Sequence, residues 1–267
     1  MLIVGELINT SRKSIREAVE NRDAAYIRDI AVKQVQAGAG YIDVNCGTLL
    51  DSEAEVMGWL VETVQEAVQA PLCIDSPDPK TLDTGLSLAR FGQPVINSIS
   101  GEKERYEAVL PLALKYKAKV IALCMDDGGM PVTAGDRMRV VRKLVPDLVC
   151  AGVPMGDIYL DPLIIPVGTS DQAGSEVLET IRRIKAEFPE VHIICGLSNV
   201  SYGLPNRKLL NQAFMIQTMT AGMDAYILDP LDHTMMGFYY ASQALLGKDE
   251  FCMNYLSAYR NGLYDIR

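Results

Sequence analysis

Three features of the sequence predict an α/β fold, a single (β/α)8 TIM barrel occupying 1–267 as one domain. Eight short apolar runs alternate with eight segments of helical spacing. At 267 residues the chain has the length of one such barrel, about 250 residues, and no linker or shift in composition divides it. The apolar runs also end on polar groups, which is how a barrel of parallel strands presents side chains to a ligand at its C-terminal mouth.

In chain order the strands are expected at residues 2–4, 41–44, 72–74, 95–96, 120–123, 158–160, 192–195 and 225–228. The helices between them are expected at 24–37, 53–68, 79–90, 104–115, 136–150, 175–187, 206–220 and 234–246. A doubly wound open sheet is the alternative, but Gly5-Glu6-Leu7-Ile8-Asn9 follows the first strand without the GxGxxG turn that would favour it. The polar groups closing the strands are, in order, Glu6 with Asn9, Asp43 with Asn45, Asp75 with Ser76, Asn97 with Ser98, Met125 with Asp126, Asp161, Ser198 with Asn199, and Asp229. Contributed by separate strands, they are expected to converge on one pocket.

The seventh strand is the most informative. Its apolar residues climb from His192 to Cys195, Gly196 breaks them, and Ser198 and Asn199 follow before Asn206-Arg207 opens the next helix. Ser198 and Asn199 are therefore expected in the cavity, although both residue types also suit loop caps. Asp75-Ser76-Pro77, Asp161-Pro162 and Asp229-Pro230 similarly suit turn initiation. Their repetition at the same end of several strands favours the pocket.

Composition narrows the function. With 49% apolar residues, a formal charge of −9 and no basic run, the chain is not expected to bind nucleic acid. Its start lacks the basic and long apolar regions of a signal peptide, and no stretch reaches the ~18 apolar residues of a membrane span. Six cysteines without a CxxC fit a reducing cytoplasm and suggest neither zinc nor an iron-sulfur cluster. The two histidines, His192 and His233, read as structural or solvated. Met215, Met219 and Met223 have the spacing of a core helix, and dimerisation is their alternative use.

A ring of carboxylates and amides suits a ligand rich in hydrogen-bond donors, because an ionised carboxylate only accepts while an amide does both. A purine or pterin ring, with its exocyclic amine and ring N–H, has that pattern. Magnesium held by Asp75, Asp161 and Asp229 is the competing use, weakened by the uncharged Asn97 and Asn199 beside them.

The segments Gly5-Glu6-Leu7-Ile8-Asn9, Asp43-Val44-Asn45-Cys46-Gly47, Cys73-Ile74-Asp75-Ser76, Ile96-Asn97-Ser98, Leu160-Asp161-Pro162-Leu163-Ile164 and Gly196-Leu197-Ser198-Asn199-Val200-Ser201 resemble, in that order, the pterin-binding barrels of the methyltetrahydrofolate-corrinoid methyltransferases. The resemblance runs over essentially the whole chain. It implies transfer of a methyl group between N5 of tetrahydrofolate and the cobalt of a corrinoid (cobalamin) carried on a separate protein, in anaerobic one-carbon or O-demethylation metabolism. It also implies a cytoplasmic homodimer. On matching positions Asp75, Asn97 and Asp161 hold the pterin's donor edge and Asn199 reaches N5, while Glu6, Gly196, Ser198 and Arg207 lie in pocket segments. Tyr202 departs from the pattern, standing where the acetogenic members carry an amide.

No metal is expected on this chain, and no corrinoid motif either. Asp232-His233-Thr234-Met235-Met236-Gly237 shares letters with DxHxxG, but its Asp and His are adjacent. The alternatives are an enzyme like dihydropteroate synthase and a non-catalytic folate-binding protein. The first would carry a Ser-Arg motif near the last strand, where this chain has Asp229-Pro230.

Overall fold

The computed structural model describes residues 1–264. Strands β1 (Leu2–Asn9), β2 (Tyr41–Asn45), β3 (Leu72–Asp75), β4 (Val95–Gly101), β5 (Lys119–Asp126), β6 (Ile158–Asp161), β7 (His192–Ile193) and β8 (Ala225–Leu228) form one parallel sheet. Around it run helices α1 (Lys13–Glu20), α2 (Ala24–Gln36), α3 (Glu53–Ala67), α4 (Pro79–Leu88), α5 (Lys103–Tyr116), α6 (Ala134–Ala151), α7 (Ala173–Glu187), α8 (Arg207–Ala221), α9 (His233–Leu245) and α10 (Met253–Arg260). Strand order is β7-β6-β5-β4-β3-β2-β1-β8. Between β7 and β8, Ile227 N–H donates to the Cys195 carbonyl at 2.9 Å and Gly196 bridges Ile227 in parallel, which closes the barrel.

Alternation along the strands sorts the side chains into two cores. Outward residues such as Ile3, Ile42, Ile74, Ile96, Val120 and Leu160 pack beneath the helices with Ile27, Leu60, Leu82, Val141 and Met215. Met219 and Met223 belong to this core as well, so the spacing of the three methionines serves burial. Inside the barrel, Val4, Tyr41, Cys73, Val95, Ile121, Tyr159, Ile194 and Ala225, one from each strand or its extension, make an apolar plug. Two residues further along each path the chain again faces inward, at Glu6, Asp43, Asp75, Asn97, Leu123, Asp161, Gly196 and Ile227. All eight line a single cavity above the plug.

Local chemistry sets the register of that layer. Gly5 lies against α2 so closely that a Cβ there would come within 2.4 Å of Gln34 Oε1, and that same oxygen accepts the Leu7 N–H at 3.0 Å. The β1–β2 register shifts between Gly5 and Ile8, on either side of the residues where Glu6 turns into the barrel. After β3, Asp78 caps α4 by accepting from Lys80 and Thr81 N–H, with Pro79 in the first turn. Thr133 and Asp136 form a capping box at the start of α6.

The observed elements differ from the expected ones in three respects. Strands β1, β4 and β5 continue several residues past their apolar runs, whereas β7 ends at Ile193, ahead of the 3-10 turn at Leu197–Ser201. Helix α1 buries only Ile15, Ala18 and Val19 over eight residues, too short for a clear period. Helix α10 buries only Ala258, so its pattern has no apolar face to read.

Candidate functional site

The cavity above the apolar plug has a volume of about 430 Å³ and opens at the C-terminal mouth. A neighbouring recess of about 460 Å³ shares Glu6, Ser11, Arg12 and Ser198 with it. Of the expected site residues, Glu6, Asp75, Asn97, Asp161, Gly196, Ser198 and Asn199 line the main cavity, and Arg207 lines the recess.

Asp75 faces Asn97 across β3 and β4 and Asn45 across β2. Its Oδ2 accepts from Asn45 Nδ2 at 2.7 Å. Burial pushes its carboxyl up to about 6, against the pull of the Asn45 hydrogen bond and the Arg105 charge. On the opposite side, Asp161 Oδ1 accepts the Leu163 N–H at 2.8 Å, and burial again raises the carboxyl to about 6. Among the described residues no donor reaches its second oxygen, so the turn and the cavity each take one side of this carboxylate. Glu6 is raised by burial and held back by Arg12, whose guanidinium lies 2.6 Å from Oε1.

Asn199 sits exposed in the 3-10 turn Leu197–Ser201, its backbone N–H donating to the Gly196 carbonyl at 3.2 Å. No backbone N–H of the described residues binds its side chain, so it is not the cap that its residue type also suits. A Cβ on Gly196 would lie 3.3 Å from Asn199 Nδ2, so the bare glycine leaves this amide room over the cavity. Arg207 holds the turn from outside: Nε donates to Ser201 Oγ at 3.1 Å, Nη2 donates to the Ser198 carbonyl at 2.6 Å, and the guanidinium stands 6.0 Å from the Tyr202 ring.

Several expected members of the ring are elsewhere. Asp126 pairs with Arg139 in a separate surface recess, because Ile121 and Leu123 are the inward residues of β5 and position 126 falls on the opposite phase. Ser76 is buried behind β3 and donates to Glu53 at 2.7 Å. Asp229 accepts the Leu231 N–H at 2.9 Å and lines only the recess, so Asp75, Asp161 and Asp229 do not converge. Among the described residues no group of three or more His, Cys, Asp or Glu is placed to hold a metal ion. His192 stacks on Tyr159 at the far end of the barrel, away from the mouth.

Residues that the sequence did not mark as ligand contacts complete the site. Asp43, counted in the ring but not as a ligand contact, lines the cavity floor, raised well above the usual carboxylate range by burial and by Asp75. Arg105, in the first turn of α5, donates to the carbonyls of Ser76 and Pro77 in the loop after β3 and of Ser98 within β4, and so clamps that loop to its neighbouring strand. Arg137 is fully buried in the first turn of α6 and donates to the carbonyls of Val132, Pro162 and Leu163, fixing the loop behind Asp161. An isolated Arg near a helix start reads as solvated, so no sequence signal marked either clamp. No helix among the described residues is long and apolar enough to cross a membrane.

Comparison with known proteins agrees with this geometry. The family described as pterin binding enzyme matches residues 5–229. The methylcorrinoid:tetrahydrofolate methyltransferase of Eubacterium limosum is 38% identical over 265 residues, covering 98% of this chain and 97% of that one. Methionine synthase of Mycobacterium tuberculosis is 29% identical over 241 residues, 85% of this chain but 20% of the larger protein. Among solved structures, dihydropteroate synthase of Vibrio fischeri superposes with a TM-score of 0.71 at 16% identity, over 92% of this chain and 94% of that one. The Xanthomonas albilineans enzyme, in complex with 7,8-dihydropteroate, gives 0.70 at 15% over the same shares, a likeness of fold.

Proposed function

The chain belongs to the pterin binding enzyme family, and from that premise we propose that it is a methyltransferase moving a methyl group between N5 of tetrahydrofolate and the cobalt of a corrinoid held by a separate protein. The likeness to the Eubacterium limosum enzyme over nearly the full length of both chains supports the reaction class. The observation that carries the mechanism is the layered cavity: buried acceptors below, and at the rim an amide whose side chain no hydrogen bond among the described residues engages.

Asp75 and Asp161 approach from opposite sides and accept the N–H groups of the pterin's amino and ring-nitrogen edge, with Asn97 between them as donor and acceptor. The loop clamps Arg105 and Arg137 keep these groups in place before ligand arrives, so little reorganisation accompanies binding. With the donor edge at the floor, N5 and its methyl group point to the open mouth, where the partner's cobalt has access.

Methyl transfer breaks the N5–CH3 bond, leaves its electron pair on N5, and forms a Co–CH3 bond with the electron pair of Co(I), which becomes methyl-Co(III). A tertiary amine is a poor leaving group, so N5 takes up a proton as the bond breaks. Asn199 is neutral and not itself the acid; its amide stabilises the positive character growing at N5 while solvent supplies the proton. The reverse reaction uses the same groups.

A cytoplasmic homodimer with the corrinoid protein seated over the mouth completes the reading. All six cysteines are unpaired and four are buried, in keeping with a reducing compartment. Rapid mixing with methyltetrahydrofolate and Co(I) cobalamin tests the proposal. Conversion of the Co(I) spectrum to that of methylcobalt is the expected result; folate binding without it leaves a binding protein, and condensation of a dihydropterin with p-aminobenzoate instead makes the chain a synthase.

A further inference from the structure

We propose that Asp43 is a positioning residue that stands on the cavity floor as a neutral carboxylic acid, leaving Asp75 as the single anion that meets the pterin's N–H edge on that side of the barrel. The inference rests on the pterin reading above and adds how the pocket keeps its charges in order.

Asp43 is 2% exposed, and its Oδ1 is buried with no hydrogen-bond partner among the described residues. An ionised carboxylate needs donors on both oxygens, and burying one without them is strongly unfavourable. The groups facing it from neighbouring strands supply no cation. They are Glu6 from β1, Asp75 and the Cys73 thiol from β3, and the Asn97 amide from β4. Arg12 is engaged by Glu6, and Arg105 is turned to the carbonyls of Ser76, Pro77 and Ser98. Asp75, by contrast, already accepts from Asn45 and feels the Arg105 charge. When close carboxylates share a site they hold a proton between them, and it settles on the one with no cation nearby, here Asp43 rather than Asp75. Burial and the Asp75 charge act in the same direction on Asp43.

The test is the acid limb of methyltetrahydrofolate affinity, which falls where Asp75 and Asp161 take up protons, near about pH 6. If Asp43 is neutral, Asp43→Asn removes no charge and the limb stays in place. If Asp43 is an anion, the same change removes a negative charge beside Asp75, and the limb moves down by about one pH unit or more, which overturns the proposal. A second measurement needs no substitution. In protein carrying 13C-labelled aspartate carboxyls at about pH 8, one resonance should remain at the position of the neutral acid; all of them at the ionised position overturns it. Wild type that binds no methyltetrahydrofolate overturns the pterin reading instead, and the carboxyl spectrum still decides the state of Asp43.

Discussion

The two ends of the barrel treat the same side chain in opposite ways. At the N-terminal end Asp224 accepts from Lys185 at 2.9 Å and from the Ile193 N–H at 2.9 Å, and lies 3.0 Å from His192 Nδ1. Burial alone would raise its carboxyl, but these hydrogen bonds bring it down to about 2. At the C-terminal end, burial pushes Asp75 and Asp161 up to about 6 because each has fewer donors than an ionised carboxylate accepts. The lower carboxylate is satisfied by the protein and holds the fold. The upper ones keep accepting capacity for something the protein does not supply, and that incompleteness marks the site.

The largest break in this contrast is at the rim. If the Asn199 amide acts as positive character grows on N5, its interaction is stronger in the transition state than in the ground state. Asn199→Ala should lower the methyl-transfer rate by roughly 10² to 10³ in both directions, with a much smaller change in folate affinity. Single-turnover traces with free Co(I) cobalamin measure this step without the partner protein. Parental rates in a variant that binds folate would leave the residue a bystander of the loop.

On the floor the effect moves from rate to affinity. Asp75→Ala or Asp161→Ala leaves pterin N–H groups unpaired at a cost of about 1 to 3 kcal/mol, roughly a ten- to hundredfold loss measured by calorimetry. Unchanged affinity in either folded variant would remove that residue from the pterin grip. The pH dependence has a definite sign. Both carboxylates have raised folded pKa values, so the stability they affect is greatest below the unfolded value near about 4 and declines as pH rises toward about 6. Folate, which pairs with the ionised form, should bind more tightly over the same rise.

Asp224 should give the opposite profile. Its contribution to stability is present above the unfolded value near about 4 and is lost as pH falls toward about 2. Asp224→Ala should lower thermal stability at neutral pH by about 1 to 2 kcal/mol, because the Ile193 N–H loses its acceptor and Lys185 keeps only the Val191 carbonyl, with folate affinity unchanged. If affinity fell instead, the division between the two ends would not hold.

The strands and the ring of polar groups were legible because alternation and apolar runs are local properties. Eight runs in the sequence became eight strands, and the acids and amides of six of them reached the main cavity. Face was harder to read than position. Asp126 closes its strand yet points out, because the inward phase is set by Ile121 and Leu123. Asp43 was undervalued for the opposite reason: it lies within its strand, but two residues beyond Tyr41 it is inward. Arg105 and Arg137 were invisible because what they bind is backbone carbonyls of loops folded by other strands. Such contacts have no local pattern.

The smallest expected effect lies at Tyr202, beside Arg207 at the end of the turn. Tyr202 is 71% exposed and lies outside both the cavity and the recess; its backbone N–H donates to the Asn199 carbonyl at 3.1 Å, a contact any residue here would keep, and its ring stands 6.0 Å from the Arg207 guanidinium. An exposed cation–π contact is worth about 0.5 to 1 kcal/mol. Arg207 also keeps two hydrogen bonds to the turn, through Ser201 and the Ser198 carbonyl, when the ring is removed. Tyr202→Gln, which installs an amide at this position, should therefore change the methyl-transfer rate by no more than about fivefold and leave folate affinity almost unaltered. Side-by-side single-turnover and binding measurements on Tyr202→Gln and Asn199→Ala make the comparison direct. Equal losses in the two would mean that the turn acts as a unit; a loss confined to Asn199→Ala places the chemistry on that amide.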